Sequence, residues 1–154
     1  MKSEISTNDK RLKVTRVFDA PRPLVFSFWT QAEKYQRWSG CKECTKCEVV
    51  MDFRVGGSFT QNMQLSVHGE TCSFTVTGAY TEVVEPERIS YAANFGTVAV
   101  RVIVEFFAEG KGTKVVVTHE GLPDEFFGQN VARGTSESLD RLEPLVAGAA
   151  LVTQ

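Results

Sequence analysis

The longest run with helical periodicity lies near the C-terminus, from Asp124 to Leu145, and it limits the possible folds more than any other stretch. Phe127, Val131, Thr135, Leu139, Leu142 and Val146 recur at steps of three or four, so they form one stripe along a helix. Arg133, Glu137, Asp140, Arg141 and Glu143 fall mostly outside that stripe. The stripe is apolar at both ends but small in the middle, where Gly134, Thr135 and Ser138 sit. A helix laid on a sheet through small residues leaves room between the two, and such room is where ligands bind. The expectation is a contact that is firm at either end of the helix and open at its centre.

The rest of the chain supplies the surface on which that helix lies. Leu12 to Asp19 alternates, with Leu12, Val14, Arg16 and Phe18 pointing one way, and predicts a first strand. Ala20-Pro21-Arg22-Pro23 ends it, and two short helices follow, Leu24 to Trp29 and Gln31 to Trp38. After a cysteine-bearing loop come six segments with strand patterning: Glu48–Arg54, Ser58–Val67, Cys72–Val84, Ile89–Phe95, Val98–Phe107 and Lys114–Glu120. Short turns join them, as at Gly56-Gly57, His68-Gly69-Glu70 and Glu109-Gly110-Lys111-Gly112, so they should form an antiparallel meander. Such a sheet has one buried face, and only the C-terminal helix is long enough to cover it. The fold class is therefore α+β: a curved antiparallel sheet of about seven strands wrapped on a long C-terminal helix, with two short helices after strand one. Residues 1–10 are expected as a flexible lead and residues 11–150 as a single domain.

Composition excludes several partners. With 42% hydrophobic and 23% charged residues and a net charge of -2, nothing favours nucleic acid or an anionic membrane surface. No apolar run is long enough to span a bilayer, and the polar start MKSEISTNDKR lacks the apolar core of a signal peptide. A cytoplasmic protein, monomeric or dimeric, is the expectation. Cys41, Cys44 and Cys47 form C-x2-C-x2-C, and Cys72 stands apart. Three close cysteines and a distant fourth could hold zinc, but the paired-knuckle spacing of zinc modules is absent, so reduced thiols are expected and no metal or other cofactor is assigned. Cys47 also opens an alternation with Val49, Met51 and Phe53 and could simply face the core.

Several segments together carry a family resemblance. Residues 14–38 (VTRVFDAPRPLVFSFWTQAEKYQRW), DFRVGGSF from Asp52 to Phe59, GAYTEVVEPERISY from Gly78 to Tyr91, GTKVVVTHEGLP from Gly112 to Pro123 and SLDRLEPL from Ser138 to Leu145 resemble the bacterial homologues of the activator of heat-shock-protein ATPase. These belong to the START-like, or Bet v-like, helix-grip superfamily that includes polyketide cyclases. The resemblance implies a START-like domain with a cavity between the concave sheet and the terminal helix. It also implies, by name, a stress-related partnership with a chaperone. Relatives usually carry a Gly-Trp pair in mid-helix where this chain has Gly134-Thr135; losing that indole would enlarge the middle of the cavity, unless another side chain refills it.

The residues expected to line the cavity are Trp29, Trp38, Met63, Tyr80, Tyr91, Phe95, His119, Phe127, Val131, Thr135 and Ser138. Tyr80 and Tyr91 stand out because buried hydroxyls need partners. His119 shares the inward face of the last strand with Val115 and Val117. A hydrogen-bonded core histidine is its ordinary reading; a general base would also need a positioned partner. Arg101 and Glu105 lie opposite Val100, Val102 and Val104 and are read as a solvated cross-strand pair. No Ser-His-Asp order, paired acids or phosphate loop appears. Binding of a small hydrophobic molecule is therefore the leading function. The alternatives are an enzyme of cyclase, dehydratase or hydrolase type with His119 as base, and a chaperone-ATPase partner. Catalytic residues are assigned to none.

Overall fold

In the computed structural model, which describes residues 3–8, 10–40 and 43–153, the strand patterning becomes one antiparallel sheet. Its strands are β1 (Glu4–Asn8), β2 (Arg11–Phe18), β3 (Cys44–Met51), β4 (Ser58–Val67), β5 (Glu70–Val84), β6 (Arg88–Phe95), β7 (Val98–Glu109) and β8 (Gly112–Glu120). They lie in the order β1-β2-β8-β7-β6-β5-β4-β3. Helices α1 (Arg22–Thr30) and α2 (Ala32–Tyr35) carry the chain from β2 to the far edge at β3, and α3 (Glu125–Thr153) follows the last strand.

Four expectations change here. The stretch read as a flexible lead contains β1, which pairs with β2 from Glu4↔Thr15 to Asn8↔Arg11. The side chains of Glu4, Ile5, Ser6 and Thr7 are exposed and only Ile5 is large and apolar, so the strand rests on its backbone ladder at the sheet edge and leaves no periodic signal. The count is thus eight strands, and the short helices follow the second. β3 begins at Cys44, so Cys44 and Cys47 belong to a strand rather than to a loop; a bulge between Cys44 and Lys46 absorbs the irregular start. Cys41 lies outside the described residues. Finally, α3 runs past Leu145 to Thr153 with Pro144 inside it. Proline removes one helical hydrogen bond, but Pro144 faces solvent while Val146, Ala149 and Ala150 pack on the core and keep the helix going.

Register places the inward face in rows. One row runs Tyr80, Tyr91, Val102, His119, Leu12 across five strands; the next runs Ile89, Val104, Val117, Val14. The valines of β7 and β8 form the centre of the core, as their alternation predicts. The opposite face carries Arg101 and Glu105, paired with Glu120 and Arg88. Gly78 sits where β5 meets β6 most closely: a Cβ there would collide with the Ala92 carbonyl oxygen.

Arg16 is the one charged residue of the β2 inward face, and it is 2% exposed. Its Nη2 donates to Asp140 of α3 at 2.5 Å and its Nε to Ser3 Oγ at 3.0 Å, which ties the helix to the sheet. Replacing Asp140 by alanine would strand that guanidinium. Breaking a fully buried pair costs roughly 3–5 kcal/mol. Asp140 itself is largely exposed, so water can partly replace it and about 2 kcal/mol is expected for Asp140→Ala. Urea unfolding reads this directly; an unchanged midpoint would show that the pair does not hold the helix.

Candidate functional site

Between the sheet and α3 lies a cavity of about 390 Å³. It is lined by the small residues Gly134, Thr135 and Ser138, where the helix stripe places it, but it extends further along the helix to Phe127. Leu139, Leu142 and Val146 are fully buried, whereas Phe127, Val131 and Thr135 are half-buried and line the cavity. The contact is therefore tight along the C-terminal half of the helix and open along the N-terminal half, rather than firm at both ends. The reason is the partner surface: β2 and α1 pack on α3, with Arg16 meeting Asp140 in its C-terminal half, while the N-terminal half faces the cavity walled by β4, β5 and β6.

Each wall comes from a different element. α1 and the turn after α2 contribute Trp29 and Trp38, in edge-to-face contact at 4.6 Å, with the Trp38 indole donating to the Phe28 carbonyl. β4 contributes Phe59, Gln61, Met63 and Leu65, and β6 contributes Tyr91 and Phe95. Val104, Val117 and His119 form the floor, and Phe127 closes one end against Phe95 at 6.0 Å. The sequence-derived set thus converges, with one exception. Tyr80 is buried behind the wall, its ring against Phe53 and Phe59 and its hydroxyl on the Met51 sulfur at 3.7 Å. Strand alternation gives the face of Tyr80 but not its depth, and the curve of β5 carries it past the cavity.

Sequence reasoning missed Tyr35, Gln61 and Phe74. Tyr35 is legible as the neighbour of Trp38 on one side of α2, and Phe74 shares the inward parity of Val76. Gln61 is the clearer omission: a polar residue at an inward position of β4, where its amide donates to Cys47 Sγ at 3.4 Å. Ser138 lines the cavity, but its hydroxyl is taken up by the carbonyls of Gly40 at 2.7 Å and Gly134 at 2.9 Å, clipping the helix to the segment before β3. At the mouth, Arg133 meets Glu43 at 3.1 Å and Glu137 at 3.2 Å.

The interior is electrically neutral near pH 7. Burial, followed by the neighbouring Tyr91 and Tyr80, holds the Tyr35 hydroxyl well above its usual range, and burial lifts Tyr91 to about 12. Tyr80 is likewise raised by burial. Burial lowers His119 from its ordinary 6.5 to about 4, because the imidazolium cannot be solvated there. Between those two values the unfolded chain binds a proton that the folded chain does not. Stability is therefore full above about pH 6.5 and falls as the pH drops towards 4, by on the order of 2–3 kcal/mol for this one group. Urea unfolding of the native protein and His119→Leu at about pH 7 and about pH 4.5 checks this, since the variant should lack that share of the acid loss.

Cys44 and Cys47 are half-buried on β3 and Cys72 is exposed on β5. Burial, then Cys47, raises the Cys44 thiol above its usual range, so it is a poor thiolate. Among the described residues no group of three histidine, cysteine or acidic side chains is arranged to hold a metal ion, and no helix is long and apolar enough to cross a membrane.

Solved structures share this architecture. Protein CV1439 from Chromobacterium violaceum superposes with a TM-score of 0.79 at 25% identity, over 89% of this chain and 97% of its own. Protein Ms6760 from Mycobacterium smegmatis gives 0.83 at 19% identity, over 97% and 99%. A protein from Rhizobium leguminosarum gives 0.70 at 26% identity, over 94% and 96%. No curated protein matches in sequence. The family model described as activator of Hsp90 ATPase homolog 1-like protein matches residues 19–147, and the chain belongs to that family.

Proposed function

We propose that the protein binds a small hydrophobic molecule between its sheet and the N-terminal half of α3. The observation that carries this reading is the cavity of about 390 Å³ walled by aromatic and aliphatic side chains, a volume within the range of small-molecule sites. Thr135 and Gly134 supply the space, and the tryptophan pair, Phe59, Phe95 and Phe127 supply apolar contact. The set Trp29, Trp38, Met63, Tyr91, Phe95, His119, Phe127, Val131 and Thr135 is proposed to touch the ligand, with Tyr80 supporting Tyr91 from behind at 6.0 Å.

A catalytic role for His119 finds less support. Its Nδ1 has no partner, so no carboxylate orients the ring as a general base requires. A chaperone partnership rests on the family name, which is analogy. Titration with the neutral fluorophore N-phenylnaphthylamine tests the binding reading, together with mass spectrometry of molecules that co-purify. Saturable uptake by the native protein supports it. No uptake of the fluorophore and no co-purifying molecule would end it.

A further inference from the structure

Among the described residues, the cavity wall holds a histidine that is buried and that the protein leaves without a partner. Trp38 donates to the Phe28 carbonyl, Gln61 to the Cys47 sulfur and Ser138 to the Gly40 carbonyl. His119 is 6% exposed; its Nδ1 is fully enclosed and has no hydrogen-bond partner, so Nε2 is the nitrogen that a molecule in the cavity can reach. Buried polar atoms of native proteins nearly always have one, because an unmade hydrogen bond forfeits what water would supply. Among the described residues the other such atom is Nη1 of Arg16, whose guanidinium lies outside the cavity wall and is already held by Asp140 and Ser3.

The charges of the wall narrow what could complete His119. The imidazole is neutral near pH 7, as are the tyrosines. Among the lining residues the charged one is Arg133, at the mouth, and it already faces Glu43 and Glu137. A carboxylate carried inside would lose its hydration with no cation to replace it, and an ammonium would find no carboxylate. A hydroxyl can either donate to or accept from the one reachable nitrogen, whichever tautomer the ring takes.

Resting on the binding reading above, we propose that the cavity takes an uncharged molecule, an apolar ring system or chain bearing a hydroxyl group, whose hydroxyl pairs with the His119 imidazole, and that it rejects the carboxylate analogue of the same shape. The sheet register sets this geometry. His119 stands on the floor two strands from Tyr91, with Val102 between them, so the polar end is held by β8 while the apolar body is left to the aromatic walls.

Calorimetric titration near neutral pH with biphenyl, para-phenylphenol and para-phenylbenzoate tests this. The phenol should bind on the order of tenfold more tightly than biphenyl. The benzoate should bind at least about tenfold more weakly than the phenol. His119→Leu should erase the advantage of the phenol over biphenyl, and His119→Gln, which keeps a donor and an acceptor, should restore part of it. Equal binding of benzoate and phenol, or a phenol advantage that survives in a folded His119→Leu, overturns the proposal. Uptake of all three without discrimination overturns it alone. No uptake of any of them removes the ligand-binding reading along with it.

Discussion

Thr135→Trp should abolish uptake of N-phenylnaphthylamine and leave the fold intact. Thr135 is half-buried on α3 and faces the cavity, so an indole grafted there grows into empty space rather than into packed atoms. Overpacking a dense core usually costs about 1–3 kcal/mol. Here the new ring has a void of about 390 Å³ to occupy, so the melting temperature should hold or rise. The relatives that this chain resembles usually carry tryptophan at the corresponding place, which fits the same arithmetic. Thr135→Val, of nearly equal size, should keep uptake unchanged. If the tryptophan variant takes up the fluorophore with native affinity, the cavity is not where that molecule goes.

Leu142→Ala and Val131→Ala should differ sharply in cost, although both lie on the stripe that faces the sheet. Leu142 is fully buried in the gripped half of α3, and removing its side chain from such packing should cost about 4 kcal/mol. At roughly 2–4 °C per kcal/mol for a chain of this size, the melting temperature should fall by about 10 °C or more. Val131 borders the cavity and has already lost neighbours on one side, so its truncation should cost less than about 1.5 kcal/mol. Thermal unfolding of the two variants compares them; equal losses would mean that the helix is gripped evenly along its length.

Much of this architecture is legible in the chain because periodicity reports which way a side chain points. The valine alternation of Val100, Val102 and Val104 identifies the buried face of β7 and puts Arg101 and Glu105 outside, where they meet Glu120 and Arg88. The stripe from Phe127 to Val146 identifies the face of α3 laid on the sheet. Direction does not report distance, and the misplacements share that cause. Tyr80 points inward like Tyr91 but lies outside the cavity wall, its ring packed on Phe53, Phe59 and Tyr91. The small residues of α3 indicate space, yet the space runs on along the N-terminal half of the helix to Phe127 rather than being confined to the middle. β1 had no periodicity to read, since its single large apolar side chain is exposed.

Alternation, turn residues and one long amphipathic stripe are local properties, and by themselves they determined an antiparallel meander closed by a terminal helix. Family membership over residues 19–147 is written in the same local patterns. Only the tertiary structure decided where the helix and sheet part company, that Arg16 is buried and tied to Asp140, and that His119 keeps an unpartnered nitrogen within a neutral wall. Those outcomes depend on sheet curvature and on contacts between residues far apart in the chain, such as Arg16 with Asp140 and Gly40 with Ser138. No short window of sequence contains both members of such a pair, so packing alone settles them.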